Sequence, residues 1–372
     1  MPPFKSRHIT VALDVAGCPN RCRHCYVGQP SKGRASEETL RSVVKQFRQW
    51  VRPGQDAPFV ERLTVATWYR EPDFADNYRD LWELEKELSD PGAARRFELL
   101  STWRLAREED YARWAKGIGT EVCQISFFGL EETTDWFTRR RGSFRDNLTS
   151  TERLLAAGIR PRWQLFLTER ILPDLPGLLA LVEKMSLEDR VRELGHEFHI
   201  FIHTPSPSGE GFHIEHLRPT VDALQAIPPY LAEKTLRHLG VSSLTEWIGE
   251  AEGDLVTQLL KVSTPVGFYP AIIAFFVTPE LDVYPNSGEV APSWRLGSLA
   301  GDGLDTIMMR FERDEVPGLY ANFRVPISEL AERYGRPQSR LLHSRSTLLD
   351  RWTRMYAEEM HRRNLRRRLR SS

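Results

Sequence analysis

Short apolar runs alternate with longer amphipathic stretches over the first 219 residues of the chain. The runs Ile9–Val15, Leu63–Trp68, Phe97–Thr102, Val122–Phe128, Arg162–Thr168 and Glu197–His203 have the length and the β-branched or aromatic content of buried strands. Between them, Glu37–Val51, Asn77–Ser89, Glu108–Lys116, Ser143–Ala157 and Pro176–Met185 read as helices. In the first of these, Val43, Val44, Phe47 and Trp50 share one face, and Ser36 stands where a hydroxyl can cap the opening turn. Gly158 follows Ala157 as a C-cap glycine. Alternation of this kind predicts an α/β fold of repeated βα units around parallel strands. Six units bent into an open barrel would gather the loops that follow the strands on one rim, where catalytic groups of such folds collect.

The pattern changes after Arg218. Helical text runs from Thr220 to Val262, proline-rich strand and turn text from Thr264 to Pro292, and helices are expected over Ile327–Arg333 and Thr347–Arg370. Three parts follow: a barrel over residues 1–219, a helical linker over 220–263 and an α+β cap over 264–372.

Charge and composition narrow the chemistry. Lys plus Arg and Asp plus Glu are equal at 51 each, which gives no ground for a nucleic-acid partner. The basic tail from His361 to Arg370 reads as a solvated helix end. No apolar stretch is long enough to span a bilayer and the start lacks an export signal, so a cytoplasmic protein without a membrane partner is expected.

Four cysteines in 372 residues are too few for a disulfide framework, yet three of them stand at positions 18, 22 and 25. Thiolates at that density are metal ligands. Three of them leave a tetrahedral zinc site incomplete, or leave one iron of a cubane cluster free for an external ligand. A Cys3His zinc site would require His24 to fold back between two ligands. Zinc or a purely structural cluster is the non-catalytic alternative.

The segment Gly17-Cys18-Pro19-Asn20-Arg21-Cys22-Arg23-His24-Cys25-Tyr26 resembles the C-x3-C-x2-C signature of the radical S-adenosylmethionine (radical SAM) superfamily, which follows strand one of a partial (βα)6 TIM-like barrel. The resemblance implies one 4Fe-4S cluster held by Cys18, Cys22 and Cys25, with S-adenosylmethionine chelated at the open iron. It implies reductive cleavage to a 5'-deoxyadenosyl radical that abstracts a substrate hydrogen, fed by a reductant such as flavodoxin or ferredoxin. His24 and Tyr26 would then lie near the adenine. The stretch Tyr69-Arg70-Glu71-Pro72 looks like the family's Gly-Gly-Glu-Pro turn with both glycines replaced, which implies that Glu71 accepts hydrogen bonds from the S-adenosylmethionine ammonium. Val122–Gly129 and the following Thr138–Phe144 are similar to the fourth strand and loop of the peptide-modifying and natural-product branch. That similarity implies contact of Ser126 with the ribose or methionine part and of Arg139 with the carboxylate.

His203, at a strand end before a Pro/Gly loop, is a candidate substrate ligand or proton relay, and Trp68 and Tyr69 could line the mouth. Cys123 is a second catalytic candidate, because a thiol can return a hydrogen atom to a product. Strand alternation argues against it: with Gln124 and Ser126 facing the barrel, Cys123 faces the helices.

Phe276–Glu289 and Trp294–Leu299 look like the SPASM extension that carries auxiliary clusters in relatives, but Asn286 stands where a cysteine is expected after Tyr284-Pro285. No cysteine follows Cys123, so auxiliary thiolate-ligated clusters cannot form within this chain. A degenerate cap that closes the open side of the barrel is expected. Loss of extra electron relays favours epimerisation, rearrangement or elimination over net oxidation. The expected substrate is a small natural-product intermediate, sugar-like or aminoglycoside-like. A ribosomally made peptide is the alternative, although no leader-binding helix-turn-helix is legible at this N-terminus.

Overall fold

The computed structural model describes residues 6–31, 33–67, 70–92, 99–268, 272–286 and 288–371. Strand β1 (His8–Leu13) lies between two parallel neighbours, β2 (Arg62–Ala66) and β7 (Ile273–Val277), so that Ile9 stands opposite both Leu63 and Ile273. β7 continues into antiparallel β8 (Asp282–Pro285) and β9 (Gly297–Ser298), which gives the order β2-β1-β7-β8-β9. A second, fully parallel sheet holds β3 (Val122–Phe127), β4 (Arg160–Phe166) and β5 (His199–His203). A short ribbon pairs β6 (Glu250–Ala251) with β10 (Leu342–His343). With helices packed outside the parallel strands, the molecule is an α/β partial TIM-like barrel with a C-terminal cap.

Among the described residues, five of the eight barrel helices fall where the apolar spacing calls for them, and the short ones at Thr102–Leu105, Glu131–Thr138 and Leu187–Glu193 are additional. In chain order the barrel helices are α1 (Glu37–Gln49), α2 (Tyr78–Leu88), α3 (Thr102–Leu105), α4 (Tyr111–Gly117), α5 (Glu131–Thr138), α6 (Ser143–Ala156), α7 (Leu175–Lys184) and α8 (Leu187–Glu193). Ser36 accepts from the Thr39 amide as the N-cap of α1, and Leu40, Val43, Val44 and Phe47 are buried beneath it. Gly158 takes a left-handed φ of +70° just beyond α6, as a C-cap glycine does. Beyond the barrel come α9 (Pro229–Leu239), α10 (Leu244–Ile248), α11 (Glu252–Leu259), α12 (Gly303–Glu312), α13 (Pro317–Arg324), α14 (Ile327–Tyr334) and α15 (Arg345–Ser371).

The expected third strand at Phe97–Thr102 is not found. Its first two residues lie outside the described set, Leu99 to Ser101 form no strand, and Thr102 opens α3. The reason lies in the hydrogen bonds. The donors on the free edge of β2 are taken by side chains: Leu63 N by Asp90 Oδ2 (2.6 Å), Val65 N by Ser89 Oγ (3.0 Å) and Thr67 N by Glu85 Oε2 (2.6 Å). The Ser101 amide donates to Asp73 Oδ2 at 2.8 Å instead of to a ladder. With those groups satisfied, no strand is required between β2 and β3.

The partner gained on the other side of β1 was not expected as a barrel strand. β7 buries Ile273, Phe275 and Val277 against the helices that cover β1, and the Phe275 ring lies 5.5 Å from that of Phe47 on α1. Each such side chain contributes about 1.5–3 kcal/mol on burial, so the C-terminal third is built into the same core as the first strand.

Candidate active site at the cysteine loop

The loop after β1 is tied down from four directions. Asp14, buried at its start, accepts from Gly17 N at 3.2 Å. The end of α5 holds the middle, with Arg21 N donating to Thr138 O (3.2 Å) and Arg23 N to Phe137 O (2.7 Å). The loop after β5 holds the far end, where Cys25 O accepts from Glu210 N at 2.9 Å. Gly209 presses so closely there, at φ +56°, that a Cβ would collide with the carbonyls of Cys25 and Tyr26. The fourth tie is Arg70, which pairs with Asp14 and donates to the carbonyls of Val27, Gly28 and Gln29 at 3.0–3.2 Å.

Cys18, Cys22 and Cys25 are free thiols on this loop, with Asn20 N directed at Cys18 Sγ (3.4 Å). Burial pushes all three thiols up, and Glu71 adds to the rise; Arg140 works against it at Cys22 and Arg70 at Cys25. Such thiols ionise in exchange for a metal rather than for water. They do not converge on a single-ion position. Among the described residues, the trio of metal-ligand types whose donor atoms lie within 4.8 Å of one another is Glu215, Glu252 and His343, not the cysteines. A zinc ion with sulfurs about 2.3 Å away needs tighter convergence, whereas a multi-iron cluster takes widely set thiolates, so the donor set fits a cluster. The Glu215 trio is crowded by Arg336 and Arg351, whose charges oppose a cation there.

Beside the thiols stands Glu71. Burial raises its carboxyl, which accepts from Ser101 Oγ at 2.9 Å. Two residues on, Asp73 accepts from Ser101 N and from Tyr111 OH (2.5 Å), and burial together with Glu71 pushes it up to about 7.

The loop after α5 separates its arginines. Arg139, at φ +53° in the left-handed C-cap position, turns outward to Glu210 at 3.3 Å. Arg140 turns inward: its Nε donates to Asn20 Oδ1 at 2.5 Å, its Nη1 pairs with Asp146, and its buried Nη2 has no partner. The charge of Arg140 reaches Cys22 and Glu71. The arginine beside the thiols is therefore the neighbour of the one the sequence pattern singled out.

Inside the barrel, Ser126 Oγ and Gln124 Nε2 both meet Gln164 Oε1, at 3.3 and 2.8 Å. Cys123 alternates to the other face and is fully buried among apolar side chains. His24 packs on Phe128 and Phe166, at centroid distances of 4.3 and 4.7 Å, and burial pushes its imidazole down to about 3. The His203 ring lies 5.5 Å from that of Phe166, edge to face, with its pKa also lowered by burial. Each imidazole keeps a buried Nδ1 without a partner. Tyr26 is 60% exposed on the rim. Trp68 and Tyr69 lie outside the described residues. Sequence reasoning missed Arg70, Arg140 and Gln164; only Gln164, a lone amide in the apolar run of β4, carried a legible signal.

No curated protein matches the sequence. Among solved structures, the chain is similar to one described as "Native anSMEcpe with bound AdoMet and Cp18Cys peptide", at 13% identity over 95% of this chain and 98% of that one, with a TM-score of 0.49. It is similar to another, "Native anSMEcpe with bound AdoMet and Kp18Cys peptide", at the same identity and coverage and a TM-score of 0.45. No helix among the described residues is long and apolar enough to cross a membrane. Residues 14–172, which contain the three cysteines, Glu71, Ser126 and Arg140, match the Radical SAM superfamily; they form a radical SAM domain, and the chain is an S-adenosylmethionine-dependent enzyme.

Proposed function

We propose that the enzyme acts on a small, polar natural-product intermediate, with Cys18, Cys22 and Cys25 holding a single 4Fe-4S cluster. When bound, that cluster supplies the electron that splits the sulfonium of S-adenosylmethionine. Glu71 accepts from the ammonium of the cofactor, and the free Nη2 of Arg140 takes its carboxylate as a charge-assisted hydrogen bond. His24, Phe128 and Phe166 supply an apolar wall that keeps water from the reacting centre, while Gln124, Ser126 and Gln164 present polar atoms to the barrel interior. His203 stays neutral and is available as a proton acceptor at the rim.

The observation that carries this reading is the setting of the cysteine loop. It is pinned from four sides, with a buried carboxylate and an unpartnered guanidinium nitrogen beside its three thiols. For the substrate, the support is β7: by pairing with β1 it closes that flank of the barrel, which suits a compact molecule. With all four cysteines assigned to the loop or the core, no second cluster draws electrons away, which favours epimerisation, rearrangement or elimination.

The test is anaerobic reconstitution followed by turnover. About four irons and four sulfides per chain, with dithionite-dependent 5'-deoxyadenosine, are expected; tightly held zinc without sulfide would sink the cluster. Transfer of deuterium from a labelled aminated sugar into 5'-deoxyadenosine supports the substrate class. Transfer from a peptide instead would replace it.

A further inference from the structure

A cleft of about 160 Å³ opens between the loop after β5, the β8–β9 connection and α15. Its wall at Ser208 is one residue from Gly209, which packs on the Cys25 carbonyl, so the cleft borders the cysteine loop. Asn286, in the position where the extension would carry a cysteine, lines it. At about 30 Å³ per water, the space holds roughly five waters or one small functional group with its carbons.

Two features of the lining point to an occupant. The first is charge. Arg354 is shared between Glu289 (3.0 Å) and Glu358 (2.8 Å), while Asp350 makes no hydrogen bond or ion pair among the described residues. Glu289 and Glu358 thus share one guanidinium, and Asp350 lines the same cleft without a cation of its own among the described residues. Burial raises the Glu289 carboxyl, while Asp350 stands exposed at the edge of the cleft. A cation between them would be held by both.

The second feature is unmet hydrogen bonding. Glu289, Trp294 and Thr353 are each at least nine-tenths buried, and each keeps a buried polar atom without a partner: Oε1, Nε1 and Oγ1. An orphaned carboxylate oxygen calls for a donor, and an orphaned indole N–H calls for an acceptor. A bare metal ion offers no acceptor. An ammonium group beside a hydroxyl offers both.

We propose that this cleft binds the protonated amine, with its neighbouring hydroxyl, of an amino-alcohol or aminated-sugar substrate. Glu289 and Asp350 take the ammonium, and Trp294 with Thr353 takes the hydroxyl. The assignment of the occupant as substrate rests on the small-substrate reading above; the assignment of the cleft to amines does not.

The experiment is calorimetric titration of the reconstituted protein with ethanolamine against ethylene glycol and with D-glucosamine against D-glucose. The amine of at least one pair binds about ten-fold more tightly than its neutral partner, the scale of a charge-assisted hydrogen bond. Asp350→Asn, at an exposed position, abolishes that preference with an unchanged melting curve and iron content, and Thr353→Val weakens both members of the pair alike. Equal binding of amine and neutral partner, or a preference that survives Asp350→Asn, overturns the proposal. Binding is read without turnover, so a peptide substrate would retire the small-substrate reading and leave the amine site, while the absence of amine preference would retire the site and leave the cofactor chemistry.

Discussion

Arg70 and Asp14 form a buried ion pair, Nε to Oδ2 at 2.5 Å, and the same guanidinium reaches three successive carbonyls of the segment that follows Cys25. That side chain, at a position where the sequence resemblance would put a glycine, clamps the cysteine loop. Lysine, a single-point donor, cannot span those acceptors.

Arg70→Ala leaves Asp14 buried and unpaired, which costs about 3–5 kcal/mol. A fall of roughly 5–10 °C in the unfolding midpoint is expected, with less iron retained per chain after desalting. Arg70→Lys recovers part of the midpoint but not the iron content. Unchanged iron in both variants would show that the clamp is dispensable.

Arg139 and Arg140 are adjacent in sequence and opposite in consequence. Arg140→Ala is expected to weaken S-adenosylmethionine binding by about ten-fold or more, the scale of a hydrogen bond to a charged group. Arg139→Ala, which removes only the contact with Glu210, changes binding by about two-fold or less. Equilibrium dialysis on the two reconstituted variants decides between them, and the reverse ranking would restore the pattern-based assignment.

Replacing any one of Cys18, Cys22 and Cys25 by alanine removes an anchor, so stoichiometric iron and 5'-deoxyadenosine formation are both lost. Cys123→Ala removes a small buried side chain from the core, at about 1–2 kcal/mol, and keeps both. Iron, sulfide and nucleoside analyses on the four variants make the comparison.

Asp73 gives a pH signature. Burial and the neighbouring Glu71 push it up to about 7, above the ordinary 3.8 of an aspartate, so the folded state binds more protons between these limits. This stabilising contribution is complete below about pH 4 and is lost as the pH rises through about 7. Buried histidines such as His24 have depressed values and act with the opposite slope, so the informative quantity is the difference between two proteins. Asp73→Asn, which can still accept from Ser101 N and Tyr111 OH, is expected to lose stability less steeply than the parent between pH 5.5 and 7.5 in urea titrations at about half-unit steps. Parallel curves would place the raised titration elsewhere.

The elements read most easily from the sequence were those whose burial repeats at a regular period. The face of α1 built from Val43, Val44 and Phe47, and the alternation of Cys123, Gln124 and Ser126 on β3, follow from geometry alone. The cysteine spacing located the loop because so few chemistries use it. What escaped depends on contacts distant in sequence. The strand expected near Phe97–Thr102 reads as apolar, but its place beside β2 is filled by Ser89, Asp90 and Glu85, whose side-chain bonds no periodicity records. β7 was legible as a strand, yet nothing local announces that its partner is β1. Three consecutive arginines cannot be ranked from sequence; the left-handed turn at Arg139 decides which of them faces inward.

The pairing of Ile9 with Ile273 also sets the timing of assembly. During synthesis the first strand emerges long before the segment that must lie beside it, so one flank of its sheet stays unfinished until β7 has been made. A chain that stopped before residue 273 would carry the cysteine loop but lack the strand that flanks β1 on that side.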